Sequence, residues 1–169
     1  MLFIGIVTDS KSENDIEQLL LKNNALKENN VIFIKEKNID NIKNVHFDTV
    51  VINREFKKMD ELNKILENAK NVIINMDTNG NNEEINVSNS NIITYGFNSK
   101  SSITISSVTD DDVLICVQRN IYNNYGEIEL QEIKIENNHN YNVYDLIVVL
   151  VLFLMYLPGF ETININGIK

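Results

Sequence analysis

Four short apolar runs in the first half of the chain decide its fold class. They are Leu2 to Val7, Val31 to Ile34, Thr49 to Ile52 and Asn71 to Asn75. All are too short for helices, and none alternates apolar with polar residues. Each therefore reads as a strand buried on both faces, the kind a parallel sheet needs. Helical patterns separate them. Ile16, Leu19, Leu20 and Leu26 recur at helical spacing after the first run, with Ser12 and Asp15 placed like an N-cap pair. Leu62, Ile65 and Leu66 share one face of a helix expected from about Asp60 to Ala69. Strands alternating with helices imply crossover connections, hence an α/β fold with a parallel sheet flanked by helices.

The pattern changes after Asn75. Met76 to Ser90 is rich in Asn, Gly and Ser and reads as a loop, and Ile92 to Tyr95 follows as a strand. Three strand-like runs then come with no helical pattern between them: Ser101 to Val108, Val113 to Arg119 and Glu127 to Ile135. Turn residues at Asp110-Asp111-Asp112 and Asn123 to Gly126 make a small antiparallel three-stranded meander the simplest topology. A phase slip between Leu130 and Ile133 points to a bulge near Gln131-Glu132. Leu146 to Leu157 is an unbroken apolar run bounded by Asp145 and Pro158. Its twelve residues would reach only roughly 18 Å as helix, against a hydrocarbon core of roughly 30 Å, so a buried core helix from about Asn142 is expected and a membrane span is not. Gly159 onward reads as a short tail or last strand. No linker or repeat divides the 169 residues, which are read as one domain, 1–169.

Composition removes several classes of partner. A net charge of -9, with 15 scattered basic residues, leaves no cationic surface for nucleic acid or an anionic membrane. The single cysteine, Cys116, excludes an internal disulfide and suits a reducing cytoplasm. Its apolar neighbours make it a small core residue of a buried strand. The 29 asparagines are spread through every segment, which fits codon bias and not a prion-like tract.

Two stretches carry the candidate chemistry. Gly5 to Ser12 has the spacing of a phosphate-binding loop, with Ser10 where the second glycine belongs and Asp9 where a carboxylate would repel phosphate. Lys11 and Ser12 still offer a charge and a hydroxyl at a helix N-terminus. Asn75-Met76-Asp77 ends a strand, where α/β sheets place ligand loops, and its carboxylate suits a metal, a ribose or a turn cap. His46 and His139 have no partners at metal-ligand spacing, and Asp110-Asp111-Asp112 lacks the glycine and glutamate of an EF-hand. No metal is expected.

Taken in order, these fragments resemble the central ATPase domain of the Mur ligases, the amide-forming enzymes of peptidoglycan synthesis. Ile6-Val7-Thr8 leads into Asp9-Ser10-Lys11-Ser12 where that family has a glycine-rich T-G-T-N-G-K-T/S loop. Asn75-Met76-Asp77-Thr78 stands for N-x-D-D with the second acid lost, and Thr94-Tyr95-Gly96 matches a strand ending in T-Y-G. Asn142-Val143-Tyr144-Asp145-Leu146 resembles the start of the last helix, with Tyr141 in place of the family's His and Asp145 in place of its second Asn. The stretch Ile93 to Ser107 is also similar to small uncharacterised proteins of low-GC Gram-positive bacteria. The resemblance implies a Rossmann-like nucleotide-binding core, trimmed and standing alone, with a degenerate P-loop. The 169 residues leave no room for the family's precursor-binding and amino-acid-binding domains, and its magnesium-binding glutamate and modified lysine have no identifiable counterpart among them.

The expectation is thus a cytoplasmic, non-catalytic binding or regulatory protein, without a cofactor and with a nucleotide or another protein as partner. The alternative is a weak ATP- or nucleotide-binding protein using Lys11, Ser12, Asn75, Asp77 and Asn142. A small ligase or hydrolase with an unrecognised site is the third class. Oligomeric state, ligand and pathway are not encoded in any recognisable motif.

Overall fold

The computed structural model describes residues 2–23, 26, 31–78, 84–123, 125–137 and 140–157. His139 and the stretch from Gly159 onward lie outside them. The described elements run β1 (Ile4–Val7), α1 (Ser10–Asn23), β2 (Val31–Ile34), α2 (Ile39–Ile42), β3 (Thr49–Ile52), α3 (Met59–Leu66), β4 (Asn71–Asn75), β5 (Asn91–Gly96), β6 (Ile103–Val108), β7 (Asp112–Val117), β8 (Ile121–Tyr122), β9 (Glu127–Ile128), β10 (Gln131–Glu136) and α4 (Val143–Tyr156). Eight strands form one sheet in the order β10-β7-β6-β5-β4-β3-β1-β2. From β2 to β6 every neighbouring pair is parallel, and β6-β7 and β7-β10 are antiparallel. The fold is α/β: a mostly parallel sheet flanked by four helices, with a separate two-stranded ribbon of β8 and β9.

The unbroken apolar strands have two faces to fill. Ile4, Ile6, Val51, Ile73, Ile93 and Tyr95 face the layer of α1 and α4. Val7, Val50, Ile52, Val72 and Ile74 point the other way, into a second core with Ile39 of α2 and Met59, Leu62, Ile65 and Leu66 of α3. Alternate residues of one strand thus enter opposite cores, which follows from the two-residue side-chain period.

The three antiparallel strands of the second half are present as β6, β7 and β10, but they extend the main sheet instead of forming a sheet of their own. Only Tyr95 and Gly96 of β5 pair with β6, opposite Ile103 and Thr104. Strand β6 therefore begins where β5 ends, and a short connection suffices despite the parallel direction. The bulge expected near Gln131-Glu132 lies elsewhere: the register of β6 against β7 shifts between Ile105 and Ser107. The expected strand over Glu127 to Ile135 is interrupted, Glu127 and Ile128 pairing with β8 and Gln131 to Glu136 with β7. That break accounts for the phase slip. Cys116 is half-buried rather than a core residue, because β7 turns Val113, Ile115 and Val117 to the core and Leu114 and Cys116 away from it.

Every residue of α4 from Asp145 to Met155 is buried. An all-apolar helix needs cover on every side. The sheet lies beneath it, α1 packs along one flank, and Ile105, Ile115 and Ile135 of the antiparallel strands share its core. Ile121 adds a contact from the ribbon, whose Asn123 Nδ2 donates to the Leu154 carbonyl. At 14 residues α4 falls short of a bilayer, and no helix among the described residues is long and apolar enough to cross a membrane.

Leu150 and Leu154 are fully buried, whereas Leu130 is 62% exposed. Truncating either of the first two to Ala should lower the unfolding free energy by about 2–5 kcal/mol in urea denaturation. Leu130→Ala should change it by less than about 0.5 kcal/mol.

Candidate functional site

The strand order reverses between β1 and β3, so the loops leaving their carboxyl ends diverge and open a crevice, the usual ligand position in such sheets. A cleft of about 560 Å³ lies there. Lys11, Ser12, Asn75, Asp77 and Asn142, the five residues singled out from the sequence, all line it. They enter from four places: the first turn of α1, the end of β4, the loop beyond it and the head of α4.

The residues after β1 differ from a phosphate loop in a specific way. Gly5 lies inside β1, where an added Cβ would come within 2.7 Å of Ile34 Cδ1, so this glycine serves strand packing and not a loop. Thr8 and Asp9 alone connect β1 to α1. Asp9 Oδ1 accepts the N–H groups of Lys11 at 2.9 Å and Ser12 at 2.8 Å. Asp9, and not Ser12, is therefore the N-cap of α1, and its carboxylate takes the donors that a bound anion would use. Partial burial raises the Asp9 pKa, but the Ser12 N–H and the charge of Arg54 outweigh it, and the net shift is downward. Ser12 is buried and accepts from Arg54 Nη2 at 2.6 Å; Lys11 is exposed.

Arg54, just beyond β3, ties the cleft together. Its Nε donates to Asp9 Oδ2 at 3.1 Å, its Nη1 to the Asn53 carbonyl at 3.0 Å, and its Nη2 also to Asp145 Oδ1 at 3.2 Å. Asp145 Oδ1 accepts again from Asn53 Nδ2 at 2.8 Å. Tyr95 Oη, fully buried, donates to Asn53 Oδ1 at 2.7 Å, and its pKa is held well above the ordinary value, chiefly by burial. Asn75 Nδ2 adds a bond to the Asn53 carbonyl at 3.3 Å. Among the described residues Asp145 Oδ2 has no partner at hydrogen-bond geometry, although the side chain has 0% exposure. Burial dominates its titration and raises the pKa; Asn53, Arg54 and more weakly the Ser12 hydroxyl pull it down without cancelling that rise.

On the other wall, Asp77 fastens two strand ends to α4. Its Oδ2 accepts the Phe97 N–H at 2.6 Å and the Tyr144 hydroxyl at 3.1 Å, and its own N–H donates to Asn75 Oδ1 at 3.0 Å. Asn142 is the N-cap of α4, its Oδ1 accepting from Tyr144 N at 2.9 Å. The Tyr144 ring packs edge-on to Phe97 with centroids 6.1 Å apart and lies 5.9 Å from the Arg54 guanidinium carbon. Gly96 has φ +146°, and a Cβ there would stand 2.6 Å from Asp77 Oδ2, so the glycine of Thr94-Tyr95-Gly96 lets that carboxylate approach the backbone.

Asn53, Arg54 and Asp145 escaped the sequence reading as site residues, although the rule that marked Asn75 and Asp77 applies to Asn53-Arg54 after β3. Among the described residues no group of three His, Cys, Asp or Glu side chains could hold a metal ion. Among the described residues the lining carries four acids (Asp9, Glu55, Asp77, Asp145) against two bases (Lys11, Arg54). The arrangement can take up hydrogen-bond donors and positive charge and offers few free donors to an anion.

Two substitutions check this geometry. Gly96→Ala should cost about 1–3 kcal/mol in denaturant unfolding, from the φ strain and the displaced Asp77. For Asp145, a folded-state pKa raised above the unfolded value means a contribution to stability present below the unfolded pKa and lost as pH rises through the folded pKa. Asp145→Asn imitates the protonated form, so its unfolding midpoint should equal or exceed the parent's at pH 7. The two should converge when measured below about pH 4. The chain matches no protein-family model, and no curated protein is significantly similar to it, so function has to be read from the cleft itself.

Proposed function

We propose that the protein is a non-catalytic binding or regulatory protein, built on a Mur-ligase-like nucleotide-binding core, which takes a small ligand into the cleft above β1, β3 and β4. One observation carries this reading. Asp9 caps α1 from the position a phosphate would occupy, and Arg54 is committed to Asp9 and Asp145. Phosphoryl transfer needs a preorganised cradle of amides and cations around the γ-phosphate. Here the amides face a carboxylate, and Lys11 is the remaining basic residue of the lining among the described residues. The volume suits a small molecule.

Weak nucleotide binding is the second reading. It draws support from the convergence of Lys11, Ser12, Asn75, Asp77 and Asn142 on one cleft beside the Tyr144 ring. Without a phosphate cradle, the base and sugar would provide the affinity and the phosphates would oppose it. Adenosine or AMP should then bind at least as well as ATP, with dissociation constants no tighter than about 0.1 mM, roughly -5.5 kcal/mol. Titration calorimetry with each ligand tests the order, and a magnesium-dependent phosphate-release assay with ATP should stay at the blank. Micromolar ATP affinity or phosphate release, lost in Lys11→Ala, would overturn the non-catalytic reading.

A further inference from the structure

The cleft has one buried feature that neither its fold nor its own hydrogen bonds account for. Asp145 is a carboxylate with 0% side-chain exposure, and one of its two oxygens has no hydrogen-bond partner among the described residues. A buried acceptor left open costs about 1–3 kcal/mol, and more when the group is charged. Asp145 opens the first turn of α4 and lines the cleft, so a ligand there is well placed to supply the missing donor.

Charge narrows the ligand further. Arg54 is shared between Asp9 and Asp145, so one guanidinium serves two carboxylates. Among the described residues, the donors to Asp77 are neutral ones, the Phe97 N–H and the Tyr144 hydroxyl. Glu55 adds a further negative charge to the lining, and the chain as a whole carries -9. A ligand bringing donors and positive charge meets attraction at the mouth and an open acceptor inside. A metal ion is a poorer match, since no three ligating side chains converge among the described residues.

We infer that the ligand of this cleft is a small organic amine, whose ammonium group docks on the open oxygen of Asp145 while the rest of the molecule lies along Asp77 and Tyr144. This rests on the proposed function, that the cleft is a binding site. Arg54 is the gate. Its side chain is 23% exposed and is held at one end by Asp9, which is 52% exposed. Swinging outward on Asp9, the guanidinium leaves Oδ1 and opens the way to the carboxylate, whose charge the ammonium then balances from Oδ2.

Titration calorimetry with spermidine, 1,4-diaminobutane and adenosine tests this on the parent, Asp145→Asn and Lys11→Met. Asp145→Asn keeps an oxygen for Asn53 and Arg54 and turns the open acceptor into a donor, so spermidine affinity should fall at least tenfold. Lys11→Met removes an exposed like charge from the rim, and spermidine affinity should rise two- to threefold. An acidic surface alone predicts the same rise, so if Asp145→Asn does not fold the stoichiometry on the parent decides: one spermidine per chain supports the inference, and several weak sites overturn it. Spermidine affinity unchanged in Asp145→Asn would mean attraction by the acidic surface alone and would overturn the inference. So would displacement of spermidine by magnesium chloride at constant ionic strength. Adenosine binding with no amine binding would leave the cleft a binding site and remove the amine; no binding by any of the three would remove both.

Discussion

A carboxylate with no exposure at the head of an all-apolar helix sets the arrangement of this molecule. Leu146 to Met155 can be packed by any apolar surroundings, and by themselves such side chains allow α4 to slide or turn with little penalty. Asp145 permits one position. It must meet Asn53 and Arg54 at the end of β3, because an ionised carboxyl stranded in the core costs several kcal/mol. Asn53 can donate to it only because Tyr95 holds the other end of the amide, so β5 is drawn into the same network. At the far end of α4, the Tyr156 hydroxyl lies 2.6 Å from Thr49 Oγ1 and donates to Asp48 Oδ2 at 2.7 Å. Burial leads in raising the Tyr156 pKa well above its ordinary value, so it remains neutral and able to donate. The helix is therefore registered at both ends by polar contacts to one strand, β3, while its apolar middle supplies the bulk of the burial. Buried polar groups commonly give such specificity at some expense in stability.

How much of this the sequence contained depends on the range over which each feature is decided. The parallel strands were legible because double-sided burial leaves unbroken apolar runs such as Thr49 to Ile52. The closing helix was legible because its length, between Asn142 and Pro158, excludes the bilayer. Local rules failed where two of them competed. Both Asp9 and Ser12 satisfy the N-cap preference, and the choice falls to Asp9 because β1 ends at Val7 and the helix starts at Ser10. Cys116 was read as core from its apolar neighbours, yet β7 shares only one face with the core. The break near Glu129 and Leu130 looks in sequence like a bulge, since a slip of phase does not reveal whether the strand bends or changes partner.

The site divides in the same way. Residues that end strands, Asn75 and Asp77, could be found because a parallel sheet aligns strand ends at one edge. Arg54 could not be assigned its contacts. It reaches Asp9, Ser12 and Asp145, up to 91 residues away, through a long flexible side chain, and no spacing in the chain records that convergence. Asp145 is visible in the sequence as the residue bounding an apolar run and as the stand-in for the second Asn of a Mur-ligase-like helix start, and neither shows its contacts. Its inward direction follows from the cover that the antiparallel strands and α1 together place around α4, which is a property of the finished tertiary structure.

The two carboxylates that share Arg54 respond to it differently, and the difference locates what the cleft lacks. Asp9 is partly solvated and has two helix N–H groups as well as the guanidinium, so its pKa falls despite some burial. Asp145 is buried, and the Asn53 amide, the same guanidinium and more weakly the Ser12 hydroxyl do not cancel that burial. One arginine is sufficient for the first and insufficient for the second. In linkage terms the two oppose each other: Asp9 contributes stability that is lost as pH falls through its folded pKa, and Asp145 contributes stability that is lost as pH rises through its own. A chain selected for stability alone would do better with asparagine at 145, which keeps an acceptor for Asn53 and Arg54, because an undercompensated buried charge is among the more expensive features a core can hold. Departures of this kind concentrate where a protein meets its ligand. This one lies at the carboxyl ends of the central strands, beside the reversal of strand order, where the sheet opens a crevice whatever the side chains are.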